Sequence, residues 1–253
     1  MASGGAVCYP DAVMASPEAV ELSVVAPVYN EVDNLEPLVR RTREALEAWG
    51  RPWELVLVDD GSRDGSAERM DELAAGDPRV RVLHFVENCG QSAALDAGFR
   101  HARGRLVAMI DADLQTFPED LPALVAELEN SGVDAVVGIR AERRDTWWRR
   151  VSSKIANGVR NWLTREDIVD TGCPLKVFRA EAVRAVCMFD GMHRFLPTLV
   201  KMHGHTVRQV PVRHAPRQAG QSKYGTWDRA FRALKDAFAV RWMQDRVLRW
   251  RLR

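Results

Sequence analysis

Apolar and polar positions change rhythm several times along this chain, and each change marks an element. From Leu22 to Val28 the residues are mostly apolar and run into Pro27-Val28-Tyr29-Asn30-Glu31, which predicts a first strand. Leu35, Leu38, Val39, Ala45, Leu46 and Trp49 then recur at helical spacing until Gly50-Arg51-Pro52 stops the helix. Leu55-Val56-Leu57-Val58 is a short continuous apolar run, the pattern of a parallel strand buried on both faces, and it meets a turn at Asp59-Asp60-Gly61-Ser62. Ser66 to Ala75 predicts a helix, Val80 to Phe85 a strand, Ser92 to Ala102 a helix, and Leu106 to Ile110 a buried strand ending at Asp111. Pro118 to Asn130 predicts a helix with proline in its first turn, where the missing N–H costs little. Ala135 to Ile139 is the next strand and ends at Arg140.

Beyond Arg140 the pattern is less regular. Trp147 to Leu163 predicts a basic amphipathic helix, Cys173 to Arg179 and Thr206 to His214 strands, and Glu181 to Cys187 and Phe195 to His203 helices. Arg217 to Gly225 is a polar, glycine-containing loop. A long amphipathic helix follows, with Trp227, Phe231, Leu234, Phe238 and Trp242 on its apolar face.

Alternating strands and helices predict an α/β fold with a mostly parallel sheet. Polar clusters stand at the C-terminal ends of the strands: Tyr29 and Glu31, Asp59 and Asp60, Asp111 and Asp113, then Arg140. In open α/β sheets ligands bind at that edge.

The chain has 253 residues, 46% of them hydrophobic and 28% charged, enough for one large α/β domain or two small ones with a real core. A net charge of +1 argues neither for nor against nucleic acid. The distribution is more informative: Thr226 to Arg253 holds eight Lys and Arg against three Asp, about +5, which leaves about −4 for the remainder. Cys8, Cys89, Cys173 and Cys187 are widely spaced, with no CxxC pair, and fit four packed thiols in a reducing cytosol. No run approaches the roughly 18–20 apolar residues that cross a bilayer. Residues 1–20, with acidic residues and prolines and no basic start, predict a flexible leader rather than a secretory signal.

Asp111-x-Asp113-x-Gln115 offers two carboxylates and an amide oxygen at alternate positions of a strand end, where alternate side chains point the same way. That set suits a hard divalent cation, Mg²⁺ or Mn²⁺, which would neutralise a departing diphosphate. Asp59 can accept a hydrogen bond from a base or ribose, while Asp64 or Ser66 can serve as a helix N-cap. Tyr29 can stack on a base and Glu31 can hold a ribose, and a plain β–α turn is the bland alternative. Arg140 and Arg149 are candidate phosphate binders, with a structural salt bridge open for Arg140 and a solvated basic face for Arg149. Arg217 and Lys223, in a loop with Gly220 and Gly225, have the composition of a lid over phosphates. Asp170 is the best remaining carboxylate for a site role, with a salt bridge as the alternative.

PVYNE (27–31), DDGS (59–62), DADLQ (111–115) and RQAGQSKY (217–224) together resemble the family 2 glycosyltransferases of GT-A fold. The closest resemblance is to the polyprenyl-phosphate branch, which includes dolichol-phosphate mannose synthase and undecaprenyl-phosphate sugar transferases. It covers most of the chain, from about Leu22 to Tyr224. TGCPLKVFR (171–179) looks most like bacterial aminoarabinose-transferring members. The resemblance implies a GT-A domain over 21–215, then a mobile phosphate loop and a C-terminal amphipathic helix over 216–253. It implies that Pro27, Tyr29, Glu31 and Asp59 contact the nucleoside and that Ala112 lines the nucleotide pocket. By the same resemblance Asp111, Asp113 and Gln115 would hold the metal, and Arg217 and Lys223 would hold donor phosphates. Arg140 and Arg149 would hold the lipid phosphate and the reacting sugar, with Asp113 and Asp170 also expected at the reacting centre.

The activity so implied is inverting transfer from a GDP- or UDP-linked sugar onto a polyprenyl phosphate, whose charge removes the need for a strong base. No nucleic-acid partner is expected. Many members of this branch carry C-terminal transmembrane helices and this sequence shows none. Its basic final helix, with Trp242, Trp250 and Arg241, Arg246, Arg249, Arg251 and Arg253, is expected to lie on a membrane, peripheral on the cytoplasmic face. The rivals are a soluble family 2 transferase with a glycan hydroxyl acceptor, and a non-catalytic nucleotide-sugar-binding protein.

Overall fold

The computed structural model describes residues 19–140, 158, 161–215 and 226–247, with side chains of the last stretch from Leu234 onward. The leader, Arg149 with most of the helix around it, and the loop carrying Arg217 and Lys223 lie outside the described residues, as do the last six residues.

The first part of the chain alternates strand and helix: β1 (Leu22–Val28), α1 (Val32–Trp49), β2 (Trp53–Asp59), α2 (Ser66–Gly76), β3 (Val80–His84), α3 (Gln91–His101) and β4 (Leu106–Met109). A 3₁₀ turn (Pro118–Asp120) leads into α4 (Leu121–Ser131) and β5 (Ala135–Arg140). Next come β6 (Lys176–Arg179), α5 (Ala180–Arg184), a 3₁₀ turn (Met192–Phe195), α6 (Leu196–Met202), β7 (Val207–Val212) and α7 (Thr226–Gln244). The seven strands form one sheet in the order β3-β2-β1-β4-β6-β5-β7.

All neighbours pair parallel except β6, which runs antiparallel to both β4 and β5. The strand order reverses beside β1, which pairs with β2 on one side and β4 on the other. That reversal opens the crevice in which α/β sheets take ligands.

The continuous apolar runs are explained by two-sided burial. Val24, Ala26, Leu55, Leu57, Leu106 and Ala108 face one core with α1 and α4. Val25, Val56, Val58, Val107 and Met109 face the other, with α3, α5 and α6. Gly98 of α3 is required by this packing, since a Cβ there would sit 2.2 Å from Val25 Cγ1.

Four expected elements differ in detail. The helix expected from Pro118 splits into the 3₁₀ turn and α4, because a second proline, Pro122, stands in α4's first turn. The strand expected from Cys173 begins only at Lys176, after a turn at Thr171-Gly172 and three residues without regular structure. The strand expected to end at His214 stops at Val212, and His214 makes an isolated bridge to Thr116.

The closing helix turns a different face inward from the one its large residues predict. Ala237 and Val240 are buried, whereas Leu234, Phe238 and Trp242 are 41%, 57% and 61% exposed. Ala237 and Val240 join the second core, with Met243 partly buried against it, while Leu234, Phe238 and Trp242 are left outside. No helix among the described residues is long and apolar enough to cross a membrane.

Candidate active site

Strand register sets the floor of the site. Val28 is level with Asp59 across β1 and β2, and Val25 is level with Met109 across β1 and β4. The motifs that follow β1, β2 and β4 therefore emerge side by side at one sheet edge. The first two are laced together: Asn30 N donates to Ser62 Oγ (3.0 Å), Glu31 N to Ser66 Oγ (3.0 Å) and Val32 N to Asp64 Oδ2 (3.2 Å). Asp64 also accepts from Ser66 N at 3.0 Å, so it serves the starts of α1 and α2 at once. Pro27, Tyr29 and Glu31 are half-buried at this edge. Glu31 Oε2 accepts from Asn34 Nδ2 at 2.6 Å.

Asp59 and Asp60 are both buried, but different atoms hold them. Asp59 Oδ1 accepts from Ser62 N at 2.9 Å, and its Oδ2 faces His84 Nδ1 at 3.3 Å. Asp60 accepts from Cys89 N (2.7 Å), from Gly90 N (3.0 Å to each oxygen) and from Asn88 Nδ2 (2.8 Å). Asp60 thus ties the β2 end to the loop that starts α3. Burial raises its pKa, and these donors oppose the rise. Gly61, at φ +70°, lies so close to this loop that a Cβ would meet Glu87 and Asn88 backbone at 2.7 Å.

The Asp111–Gln115 segment departs from the extended geometry expected of it. β4 ends at Met109, and residues 112–115 form a turn and bend with Leu114 at φ +56°, the left-handed region unusual for leucine. The oxygens expected to hold a metal are therefore presented by a turn, not by the pleat of a strand. Ala112, expected to line the nucleotide pocket, is 3% exposed and packs with Leu114 into the core beside α1 and α4. Asp111 Oδ1 accepts from Gln91 Nε2 at 2.9 Å, and Asp113 Oδ1 from Gln115 N at 3.2 Å. Among the described residues no three His, Cys, Asp or Glu side chains gather to hold an ion. Two carboxylates and the Gln115 amide are the donor set, which fits a cation that completes its shell with diphosphate and water.

Gln115 also ties down the residues just after β7. Ala215 N donates to Gln115 O at 2.8 Å, beside the Thr116–His214 bridge. Arg217 lies two residues beyond this tie.

Arg140 and Asp170, expected separately, form one unit. Arg140 Nε and Nη2 donate to the two Asp170 oxygens at 2.7 and 2.8 Å, and both side chains are largely buried. Burial works against the guanidinium charge, but Asp170 and the field of Asp111 outweigh it and raise its pKa. Gly172 lies against the pair, with its Cβ position 3.3 Å from Arg140 Nη2.

Lys176 was not expected. It is 1% exposed in the middle of the sheet, level with Met109 of β4 and Val137 of β5, and its Nζ donates to Cys173 O. Burial lowers its pKa, while Cys173, Asp111 and Asp170 pull the other way. The available signal was a lone lysine in the apolar stretch Leu175-Lys176-Val177-Phe178. His193 was also missed. Its Nδ1 lies 2.7 Å from Ser92 Oγ, one residue from the Gln91 that touches Asp111. A hollow of about 490 Å³ between α4 and β7 holds none of the expected site residues.

Two relatives share much of this chain. An undecaprenyl-phosphate 4-deoxy-4-formamido-L-arabinose transferase from Edwardsiella ictaluri is 43% identical over 81% of this chain and 63% of its own length. A dodecaprenyl-phosphate galacturonate synthase from Rhizobium johnstonii is 37% identical over 88% of this chain and 67% of its own. The chain therefore spans about two thirds of these relatives. Among solved structures, a glucosyl-3-phosphoglycerate synthase from Mycobacterium tuberculosis, with Mn²⁺, UDP and phosphoglyceric acid, superposes with a TM-score of 0.68. It is 18% identical, with 91% of this chain and 80% of that one covered. A mannosyltransferase from Pyrobaculum calidifontis, with GDP-Man and Mn²⁺, gives 0.60 at 23% identity, covering 92% and 67%. These structures share the GT-A-like fold. Residues 23–187 match the family described as Glycosyl transferase family 2, and with the two relatives this establishes that the chain belongs to that family.

Proposed function

We propose that this chain moves a sugar from a GDP- or UDP-linked donor onto a polyprenyl phosphate, with inversion at the anomeric carbon. The carrying observation is convergence at one sheet edge. Asp59 ends β2, Asp111 and Asp113 follow β4, and Gln115 is tied to Ala215, two residues before Arg217. The two relatives are named for transfer onto undecaprenyl and dodecaprenyl phosphate, which supports that acceptor class.

In this reading Asp59 accepts a hydrogen bond from the base, Tyr29 and Pro27 flank it, and Glu31 holds the ribose. Asp111, Asp113 and Gln115 would hold Mg²⁺ or Mn²⁺, the ions found with UDP in the M. tuberculosis synthase. Such an ion, when bound, supplies charge that stabilises a leaving diphosphate. Arg217 and Lys223 add to that charge from the loop. A guanidinium has five N–H donors. Asp170 takes two of Arg140's through side-chain contacts, leaving donors for the acceptor phosphate. Asp170 then acts by orienting Arg140, and Arg149 assists it.

An acceptor monophosphate is already anionic at neutral pH. Its oxygen attacks the anomeric carbon as the bond to the nucleoside diphosphate breaks, and that electron pair leaves with the diphosphate. Positioning and electrostatics carry the rate. A hydroxyl acceptor would require a base, and the pairing of Asp170 with Arg140 disfavours that carboxylate for the role.

Lipid acceptors sit in a bilayer, and α7 supplies a means of approach on the cytoplasmic face. Leu234, Phe238 and Trp242 stand exposed at four-residue spacing, with Lys235, Arg241 and Arg246 nearby. The test is a donor screen with undecaprenyl phosphate and Mg²⁺ or Mn²⁺, scoring labelled lipid. Folded protein that transfers from no donor would overturn the reading.

A further inference from the structure

His84 ends β3, level with Asp59 in the next strand. Its ring stands between two carboxylates. Nδ1 lies 3.3 Å from Asp59 Oδ2, and Nε2 lies 3.0 Å from Asp71 Oδ1. Asp59 is buried, Asp71 is exposed on α2, and the His84 side chain is 39% exposed between them. These are the charged groups that face the ring from β2 and α2, the elements packed against β3.

A neutral imidazole carries one N–H and can donate to only one of these carboxylates. The imidazolium donates to both. The arrangement therefore fits the doubly protonated ring, and the other oxygen of Asp59 is already occupied by Ser62 N. Together the two donors fix the plane of a buried carboxylate, leaving lone pairs for one more donor.

We propose that His84 is a positioning residue for the donor, bridging Asp71 and Asp59 so that the Asp59 carboxylate is held in one orientation and aimed at a base N–H of the nucleotide. This rests on the donor-site reading above. Burial lowers the His84 pKa, but the hydrogen bonds and charges of Asp71 and Asp59 outweigh it, so the net shift is upward from 6.5. The ring is charged below that raised value and loses one of its two contacts as pH rises through it. His193, whose pKa lies near 3, is silent in this range.

The test is calorimetric binding of UDP-glucose and GDP-mannose to the full chain with Mg²⁺, at pH 6.0 and pH 8.5. The diphosphate of an intact sugar nucleotide is a diester and does not titrate there. Wild type is expected to bind about five- to tenfold tighter at the lower pH, the scale of one charge-assisted hydrogen bond. His84→Leu should bind weakly and without pH dependence. His84→Asn keeps an amide N–H near the Nδ1 position, so it should recover part of the affinity and stay flat with pH. Asp71→Asn should move the midpoint to lower pH. In turnover the loss should fall on KM and leave kcat unchanged.

A ligand-free readout is ring ¹⁵N chemical shifts of His84, which should report both nitrogens protonated at pH 6.0. A neutral ring at that pH, or wild-type affinity equal at both pH values and unchanged in His84→Leu, overturns the proposal. Wild type that binds neither nucleotide at either pH overturns the donor-site reading, and this proposal falls with it.

Discussion

Two acidic pairs stand at neighbouring strand ends, and the protein holds them in different ways. Asp59 and Asp60 are fixed mainly by backbone amides, from Ser62, Cys89 and Gly90. Asp111 is met by the flexible side chain of Gln91, and Asp113 by Gln115 N at a long 3.2 Å. Backbone donors do not titrate and move only with the loop that carries them, so the first pair is part of the architecture. A side chain can rotate away when a cation arrives, so the Gln91 contact leaves Asp111 suited to exchange partners, while the bond to Asp113 is long. Similar residues at neighbouring strand ends thus differ in how firmly the protein holds them.

The sharpest way to break this comparison is Asp113→Ala. It should lower transfer by about 10³-fold, on the order of 4 kcal/mol of barrier, while thermal stability changes little. Steady-state kinetics beside a melting curve would check both. If Asp113→Ala unfolds the protein instead, the two pairs do not differ as described.

Next is the Arg140–Asp170 unit. Asp170→Asn should cost about 3 kcal/mol in denaturant unfolding, because it leaves a buried guanidinium uncompensated. Arg140→Met with Asp170→Leu should recover much of that stability and none of the activity. Asp60→Asn comes third, at about 2 kcal/mol, because an amide nitrogen would then face backbone donors.

The pH dependence separates the two histidines. His193 is half-buried near Arg194 and Lys176, and desolvation first, then those cations, lowers its pKa to about 3. Its folded value is below its unfolded one, so the unfolded chain takes up the proton first and stability falls as pH drops below 6.5. Between pH 7 and pH 5 the loss should be about 1–2 kcal/mol, and His193→Gln should remove it. His84 has the opposite sign, with a raised pKa whose stabilisation is lost as pH rises. The smallest effect belongs to α7: Phe238→Ser with Trp242→Ser should change stability by less than about 0.5 kcal/mol. The same pair should reduce flotation with anionic liposomes.

Much of the first half of the molecule was legible from periodicity. The runs from Leu22 and from Leu55 became β1 and β2, buried on both faces, and α1 buries Leu35, Leu38, Val39 and Leu46 as the spacing required. These elements are local, and their apolar rhythm states how they pack. The motifs at the strand ends were legible for the same reason, since the end of a strand is where its rhythm breaks. The second half was harder to read. β6 is short and antiparallel between two strands distant from it in sequence, and its direction depends on partners that its own residues do not name.

The sequence by itself determined which residue types stand at the strand ends and which segments could bury both faces, because side-chain chemistry and period are properties of the chain. Tertiary structure decided who meets whom. It joined Arg140 to Asp170, set His84 between two carboxylates, buried Lys176 in the sheet, and turned Ala237 rather than Phe238 inward. Each of these depends on atoms brought together from separate segments, and no local pattern encodes a distance in space.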